Sequence, residues 1–339
     1  MYMHPNKIKN MTKHNYGTAI LSGFEYLLKN YTEVFVIGQG LWSPWYVGNS
    51  MTDLDKKFGV ERIIDTPVSE SACTGAAVGA ALAGMKPIVV HPRMDFMLYA
   101  IDPIVNQAAK WSHMLGGQSN PGVTIRSIIN RGGEQGAQHS QALHSWFAHI
   151  PGLRVVMPST VKDARDLLIS SVLSKDPVMF IDDRWCYDQE DVLNEVVEID
   201  LDNVVPKKLS EGNDITIAAY GYGTYLAREA ENILASKHGI SAEIIDVRIL
   251  NPFNPEVIIE SVKKTRNLLV VDPGTKACSF SAEIVSSVIE RIPLNTLASQ
   301  PVRIALPDAP APTSRVLESD YYFTDQDIAI AAKKVLNKN

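Results

Sequence analysis

Short apolar runs recur along the first half of the chain at Val34–Gly38, 62–65, 87–91, 123–130, 153–157 and 178–182. Runs this short, apolar at successive positions, predict strands buried on both faces. Between them, apolar residues at three- and four-residue spacing predict helices at 18–29, 71–84, 97–114, 140–148 and 161–173. The last opens with Ser159-Thr160 after Pro158, residues suited to capping a helix N-terminus. Strand and helix alternating in this way imply a parallel sheet covered by helices.

From 188 to 213 the pattern loses its period and turns acidic, with Asp188, Glu190, Asp191, Glu195, Glu198 and Asp200. A new alternation follows, with strands expected at 215–220, 242–247, 268–272 and 302–306 and helices at 224–238, 255–264 and 280–291. The fold class is therefore α/β in two domains: a parallel-sheet domain over 12–187, a linker over 188–213, and a smaller α/β domain over 214–339. Neither an internal repeat nor a low-complexity tract interrupts it.

Composition narrows the class. A chain of 339 residues, 45% hydrophobic and 21% charged, can bury two cores. A net charge of -6 with no Lys/Arg stripe argues against nucleic acid as a partner. Cys73, Cys186 and Cys278 are far apart and form no C-x-x-C pair, which suits a reducing compartment. The N-terminal stretch has lysines but no apolar core segment, and no run approaches the roughly 20 apolar residues of a membrane span. The expectation is a cytoplasmic protein without a membrane or nucleic-acid partner.

The densest chemistry lies at Asp65-Thr66-Pro67-Val68-Ser69-Glu70, where a strand gives way to a helix. Ligands of open α/β sheets gather at such carboxyl ends of strands. In the helix, Ala72, Gly75/Ala76, Gly79/Ala80 and Ala83 fall on one face with almost no side-chain volume. Another backbone or a flat ligand could approach it closely. Two readings of Glu70 stay open. It is a first-turn carboxylate favoured by the helix dipole, or a proton-transferring group whose burial outweighs the dipole's preference for charge.

Two further segments should reach the same crevice. Asn130-Arg131-Gly132-Gly133-Glu134-Gln135-Gly136-Ala137-Gln138-His139 is a glycine-rich loop between a strand and a helix, and His139 at its end is placed for proton transfer or for a structural role. It lacks the G-K-[ST] ending of a phosphate loop. His91, Arg93, Asp95 and Phe96 follow another strand. Phe96 suits either the core or stacking on a planar heterocycle. Arg93 can pair with Asp95 or hold a carboxylate in a bidentate fork.

Taken together, ERIIDTPVSESACTGAAVGAALAGMKPIV, AIDPIVNQAAK, GAQHSQALHSWFAHIPGLRVVMPST and KDPVMFIDD resemble the beta subunit of the decarboxylating component of 2-oxo acid dehydrogenase complexes, within the transketolase-like thiamine diphosphate enzymes. AEIIDVRILNPFNPEVIIESVKKT and LPDAPAPTSRVLESDYYF resemble that family's C-terminal domain. The resemblance implies that Glu70 hydrogen-bonds the cofactor's aminopyrimidine and moves its proton, with Ser69 beside it. It further implies that Phe96 stacks on that ring and that His139 donates and accepts protons during acyl transfer. His91, Arg93, Asp95 and Gln138 are the candidates for substrate contacts. The substrate implied is a 2-oxo acid.

The Gly-Asp-Gly and Asn-Asn motifs that anchor the cofactor's diphosphate through magnesium are absent, so this chain is expected to hold no metal itself. The resemblance implies an alpha subunit carrying them, an α₂β₂ tetramer, and a lipoyl acyltransferase as a further candidate partner. The second domain shows no catalytic constellation. His238, Asp246 and Arg248 read as helix-end and strand-end residues, and the domain's expected job is dimerisation.

Several positions depart from the family pattern. Val90-His91 stands for Glu-Phe, Asp95-Phe96 for Asn-Phe, Gly38-Gln39 for Gly-Glu, and Asp272-Pro273-Gly274-Thr275-Lys276 for a Glu-Glu-Gly turn. The loop from Arg131 to His139 is short, which bears on potassium and lipoyl contacts. These changes point away from the usual pyruvate and lipoyl pair and towards a carboligation or a specialised biosynthetic reaction. The alternatives are a split transketolase- or synthase-like carboligase subunit and a non-catalytic assembly subunit.

Overall fold

The computed structural model describes residues 13–43 and 45–337. The lysine-bearing first twelve residues, and residues 12 and 339 at which the domains are expected to begin and end, lie outside the described residues. Among the described residues, no helix is long and apolar enough to cross a membrane.

The first helix, Tyr16–Asn30, follows from its sequence. Asn15 accepts the Thr18 N–H at 2.8 Å and so caps the first turn, and Tyr16, Ile20, Phe24, Leu27 and Leu28 form one buried face. Each such side chain contributes about 1.5–3 kcal/mol of burial. That face packs against Val161–Leu173, whose cap is Thr160, with its hydroxyl accepting from Asp163 N. Ser159, the other expected cap, instead bonds Asp246.

A seven-stranded sheet lies between these helices and those on its other face. Its order is Ile249–Asn251, Arg154–Val156, Val178–Asp183, Thr124–Ile129, Lys86–His91, Val34–Gly38 and Ile63–Asp65. The six strands from the first half of the chain are parallel. Ile249–Asn251 comes from the second half and pairs antiparallel with Arg154–Val156, a crossing that apolar periodicity did not reveal. At Gly38 a methyl group would run into the Val90 carbonyl oxygen. The second sheet runs Val302–Leu306, Leu268–Thr275, Ile215–Ala219, Ala242–Asp246 and Lys207–Lys208, parallel except for the last.

The acidic stretch 188–213 carries three short elements. Glu190–Val192 pairs antiparallel with Lys13–Asn15, Leu201–Asn203 forms one helical turn, and Lys207–Lys208 joins the second sheet's edge. The core is continuous between domains: Val155 and Met157 belong to the same buried cluster as Tyr220, Ile245 and Phe280.

Two helix expectations are corrected. The stretch expected as a helix over 97–114 is broken into a turn at Met94–Met97, a tight turn at Leu98–Ala100, a π-helical stretch at Pro103–Ala108 and a helix at Ala109–Met114. Pro103 has no N–H to give to a regular ladder. The helix expected from 140 begins only at His144; before it the N–H groups of Gln141 and Leu143 bond Asp95 and Met94. Two helices near the C-terminus, Arg315–Tyr321 and Asp325–Val335, were not anticipated; the second opens with a capping box between Thr324 and Asp327.

Candidate active site

Glu70, Phe96 and His139 follow the strands Ile63–Asp65, Lys86–His91 and Thr124–Ile129, so all three sit beyond the carboxyl edge of one parallel sheet. Glu70 is the first residue of the helix Glu70–Leu82, where the backbone dipole favours its charge. It is half-buried, and among the described residues its carboxylate has no hydrogen-bond or ion-pair partner. The Ser69 hydroxyl turns away to donate to Val68 O at 2.8 Å.

The low-volume helix face is open. Ala72, Gly75, Ala76 and Gly79 are exposed, and a Cβ added at Gly75 or Gly79 would meet nothing within 4 Å. Val68 is 73% and Tyr99 is 75% exposed, which adds apolar surface near this face. The opposite face of the helix is packed. Thr74 Oγ1 lies 3.1 Å from Nε2 of the buried His91, whose pKa burial pushes down to about 4. His91 is therefore neutral and ties strand to helix.

Phe96 and His139 meet edge to face, with ring centroids 5.2 Å apart and planes at 80°. Both are half-buried. Arg93 binds the Gln135 side chain and reaches the His139 carbonyl at 3.4 Å. Asp95 is buried, and its Oδ1 accepts from both the backbone N–H and the side-chain amide of Gln141, each at 3.0 Å. Burial pushes the Asp95 carboxyl up, the Gln141 bonds partly offsetting it. Gln138 is exposed at the loop's outer side.

The second domain grips the same loop. Arg131 donates to Pro273 O at 2.8 Å and pairs with Asp183 at 2.7 Å, its guanidinium lying over Trp185. The carboxylate of Glu318 accepts the Glu134 N–H at 3.1 and 3.2 Å, and His144 meets Asp272 at 3.1 Å. Nothing in the chain's spacing marks Gln141 or Glu318 as partners of this loop. Asp272 stands out only as a departure from the family's turn.

A half-buried carboxylate without a partner among the described residues, an aromatic ring and an imidazole beyond one sheet edge suit a planar nitrogen heterocycle. For a diphosphate with its metal the fit is one-sided. Among the described residues, no three His, Cys, Asp or Glu side chains converge to hold a cation.

Comparison with known proteins places the fold in a family. The model of the transketolase pyrimidine-binding domain matches residues 12–188, and that of the transketolase C-terminal domain matches 206–328. The chain belongs to the transketolase-type family of thiamine diphosphate proteins. Within that family it is a beta-type subunit of the 2-oxo acid dehydrogenase kind. It is 39% identical to the beta subunit of acetoin:2,6-dichlorophenolindophenol oxidoreductase of Cupriavidus necator, over 81% of each chain. It is 36% identical to the mitochondrial pyruvate dehydrogenase E1 component subunit beta of Saccharomyces cerevisiae, over 90% of this chain and 84% of the other. A solved split-gene transketolase, described as an inactive beta4 tetramer, shares the fold with a TM-score of 0.77 at 20% identity, over 96% of this chain and 98% of its own. The relatives favour the dehydrogenase-type subunit over the carboligase and scaffold alternatives.

Proposed function

We propose that this chain supplies the aminopyrimidine half of a thiamine diphosphate site in a heteromeric enzyme, and that its substrate is a small carbonyl compound of the class to which pyruvate and acetoin belong, a 2-oxo acid first. The observation that carries this reading is the unpartnered Glu70 carboxylate beside an open, low-volume helix face, on the same sheet edge as Phe96 and His139.

When bound, the cofactor supplies a nucleophilic carbon and an electron sink. Glu70 would hold a proton at a ring nitrogen of the aminopyrimidine, Phe96 would fix that ring's plane, and Ser69 would line its approach. His139 would carry the proton exchanged with the substrate oxygen, a role worth about 10²–10⁴ in rate. Arg93 and Gln138 would meet the substrate, whereas His91 and Asp95 are buried. An alpha-type partner would bring the magnesium and diphosphate ligands and cover the Ala72–Gly75–Ala76–Gly79 face, in an α₂β₂ assembly. The domain of residues 12–187 would hold the cofactor, and that of 214–339, joined to it by 188–213, would dimerise and offer a surface to a lipoyl acyltransferase. A cytoplasmic setting suits the free thiols Cys73, Cys186 and Cys278.

The test is calorimetric titration of thiamine diphosphate with magnesium into the pair co-expressed with its alpha-type partner, beside this chain alone. Tight binding to the pair only is the expected result, followed by turnover of pyruvate, acetoin or another 2-oxo acid. Tight binding to this chain alone would overturn the divided site.

A further inference from the structure

Four successive residues of one short turn each touch the loop that carries His139. Arg93 binds the Gln135 side chain and approaches His139 O. Met94 Sδ accepts the Leu143 N–H at 3.1 Å. Asp95 Oδ1 takes both N–H groups of Gln141 at 3.0 Å. Phe96 meets the His139 ring at 5.2 Å. The last two links form a closed circuit: Asp95 is bonded to Phe96 through the chain, Gln141 lies two residues beyond His139, and the hydrogen bonds and the ring contact join the two arms.

We propose that Asp95 is a positioning residue, which acts through Gln141 to hold the His139 imidazole against the edge of Phe96. The chemistry of Asp95 supports this role over that of a substrate ligand. It is 5% exposed, and its Oδ1 is already engaged by both Gln141 N–H groups. Its Oδ2 is buried without a hydrogen-bond partner among the described residues, and such burial costs free energy. The two amide bonds on Oδ1 compensate in part. An imidazole on a glycine-rich loop, with left-handed backbone at Gly132, Gly133, Glu134 and Gly136, needs such an anchor to keep one orientation.

The inference rests on the reading of His139 as the proton carrier, and its test separates the two. In the co-expressed assembly, Asp95→Ala, Asp95→Asn and Gln141→Ala are compared with Glu70→Gln. A misplaced catalytic group costs up to about 10²-fold in rate. Asp95→Ala is expected to lower kcat on that scale with little change in KM. Asp95→Asn, which keeps the acceptor for Gln141, is expected to recover most of the loss. Gln141→Ala, which loses one of the two bonds and keeps the backbone one, is expected to show a smaller fall in the same direction, and it serves if Asp95→Ala does not assemble. The second readout needs no cofactor: acylation of His139 by diethyl pyrocarbonate, followed by peptide mass spectrometry, is expected to quicken several-fold in Asp95→Ala and to return towards the parent rate in Asp95→Asn. Unchanged His139 reactivity with a raised KM would make Asp95 a substrate contact and overturn the proposal. Full activity of Glu70→Gln would instead overturn the functional reading, while the His139 reactivity would still judge the clamp.

Discussion

Nε2 of His144 lies 3.1 Å from Oδ1 of Asp272, across the boundary between the two domains and with both side chains almost fully buried. Asp272 also accepts from backbone N–H groups, Gly274 at 2.8 Å and Ser281 at 3.2 Å. A Cβ at Gly274 would stand 2.8 Å from Cε1 of His144, so the imidazole is held where only glycine leaves room. Five residues before His144 is His139, and the domain junction is thus tied to the end of the glycine-rich loop.

The first prediction concerns acid. Burial pushes the Asp272 carboxyl up, but the imidazole and the N–H donors outweigh it and hold the pKa down at about 2. A carboxylate depressed in the folded chain stabilises above its unfolded value of about 3.9 and loses that stability as pH falls towards 2. Asp272→Asn should therefore cost about 2 kcal/mol at neutral pH and flatten the acid limb of a urea-midpoint profile between pH 4 and 2. Profiles of the same shape for both proteins would refute it.

Asp246 has the opposite sign. Burial first, and the neighbouring Asp163 second, raise its pKa to about 7, with Ser159, Arg248 and Thr224 only partly offsetting them. The folded chain then holds a proton that the unfolded chain has lost, and stability falls as pH rises from about 4 to about 7. Asp246→Asn should raise the thermal midpoint by several degrees at pH 8 and leave it nearly unchanged at pH 4. An equal gain at both pH values would count against this account.

Arg126 and Asp182 form a fully buried pair, with Arg126 Nε and Nη2 at 3.0 and 2.9 Å from the two carboxylate oxygens and Tyr187 closing the group. Removing one partner strands the other charge. Arg126→Met should cost about 3–5 kcal/mol in denaturant unfolding. The double replacement Arg126→Met with Asp182→Leu should be less damaging than the single one, and a double mutant worse than the single would contradict it.

The open helix face gives a prediction in two parts. Gly79→Ala should stabilise this chain by up to about 1 kcal/mol, since a solvated helix gains propensity and the added Cβ meets nothing. Ala76→Leu should leave the chain's fold intact, since residue 76 is exposed, but abolish co-elution with the alpha-type partner. Retained co-elution would mean that the partner lies elsewhere.

Local sequence determined much of this protein. The runs at Val34–Gly38 and 178–182 became strands of the first sheet, the second of them buried throughout, and the spacing of Ile20, Phe24 and Leu27 set the face of the first helix. These patterns depend on contacts with a period of two or about 3.6 residues, which a sequence displays directly. The small-residue face after Glu70 was equally legible, because the absence of side-chain volume is written in the residue types themselves. Tertiary structure alone decided what meets across long separations. It joined Ile249–Asn251 to the first sheet, set Gln141 on Asp95, Glu318 on the backbone of Glu134 and Asp272 on His144, and began the helix at His144 instead of residue 140. A single hydrogen bond between residues far apart leaves no periodic trace in either segment, so its partner is fixed only when the whole chain has packed.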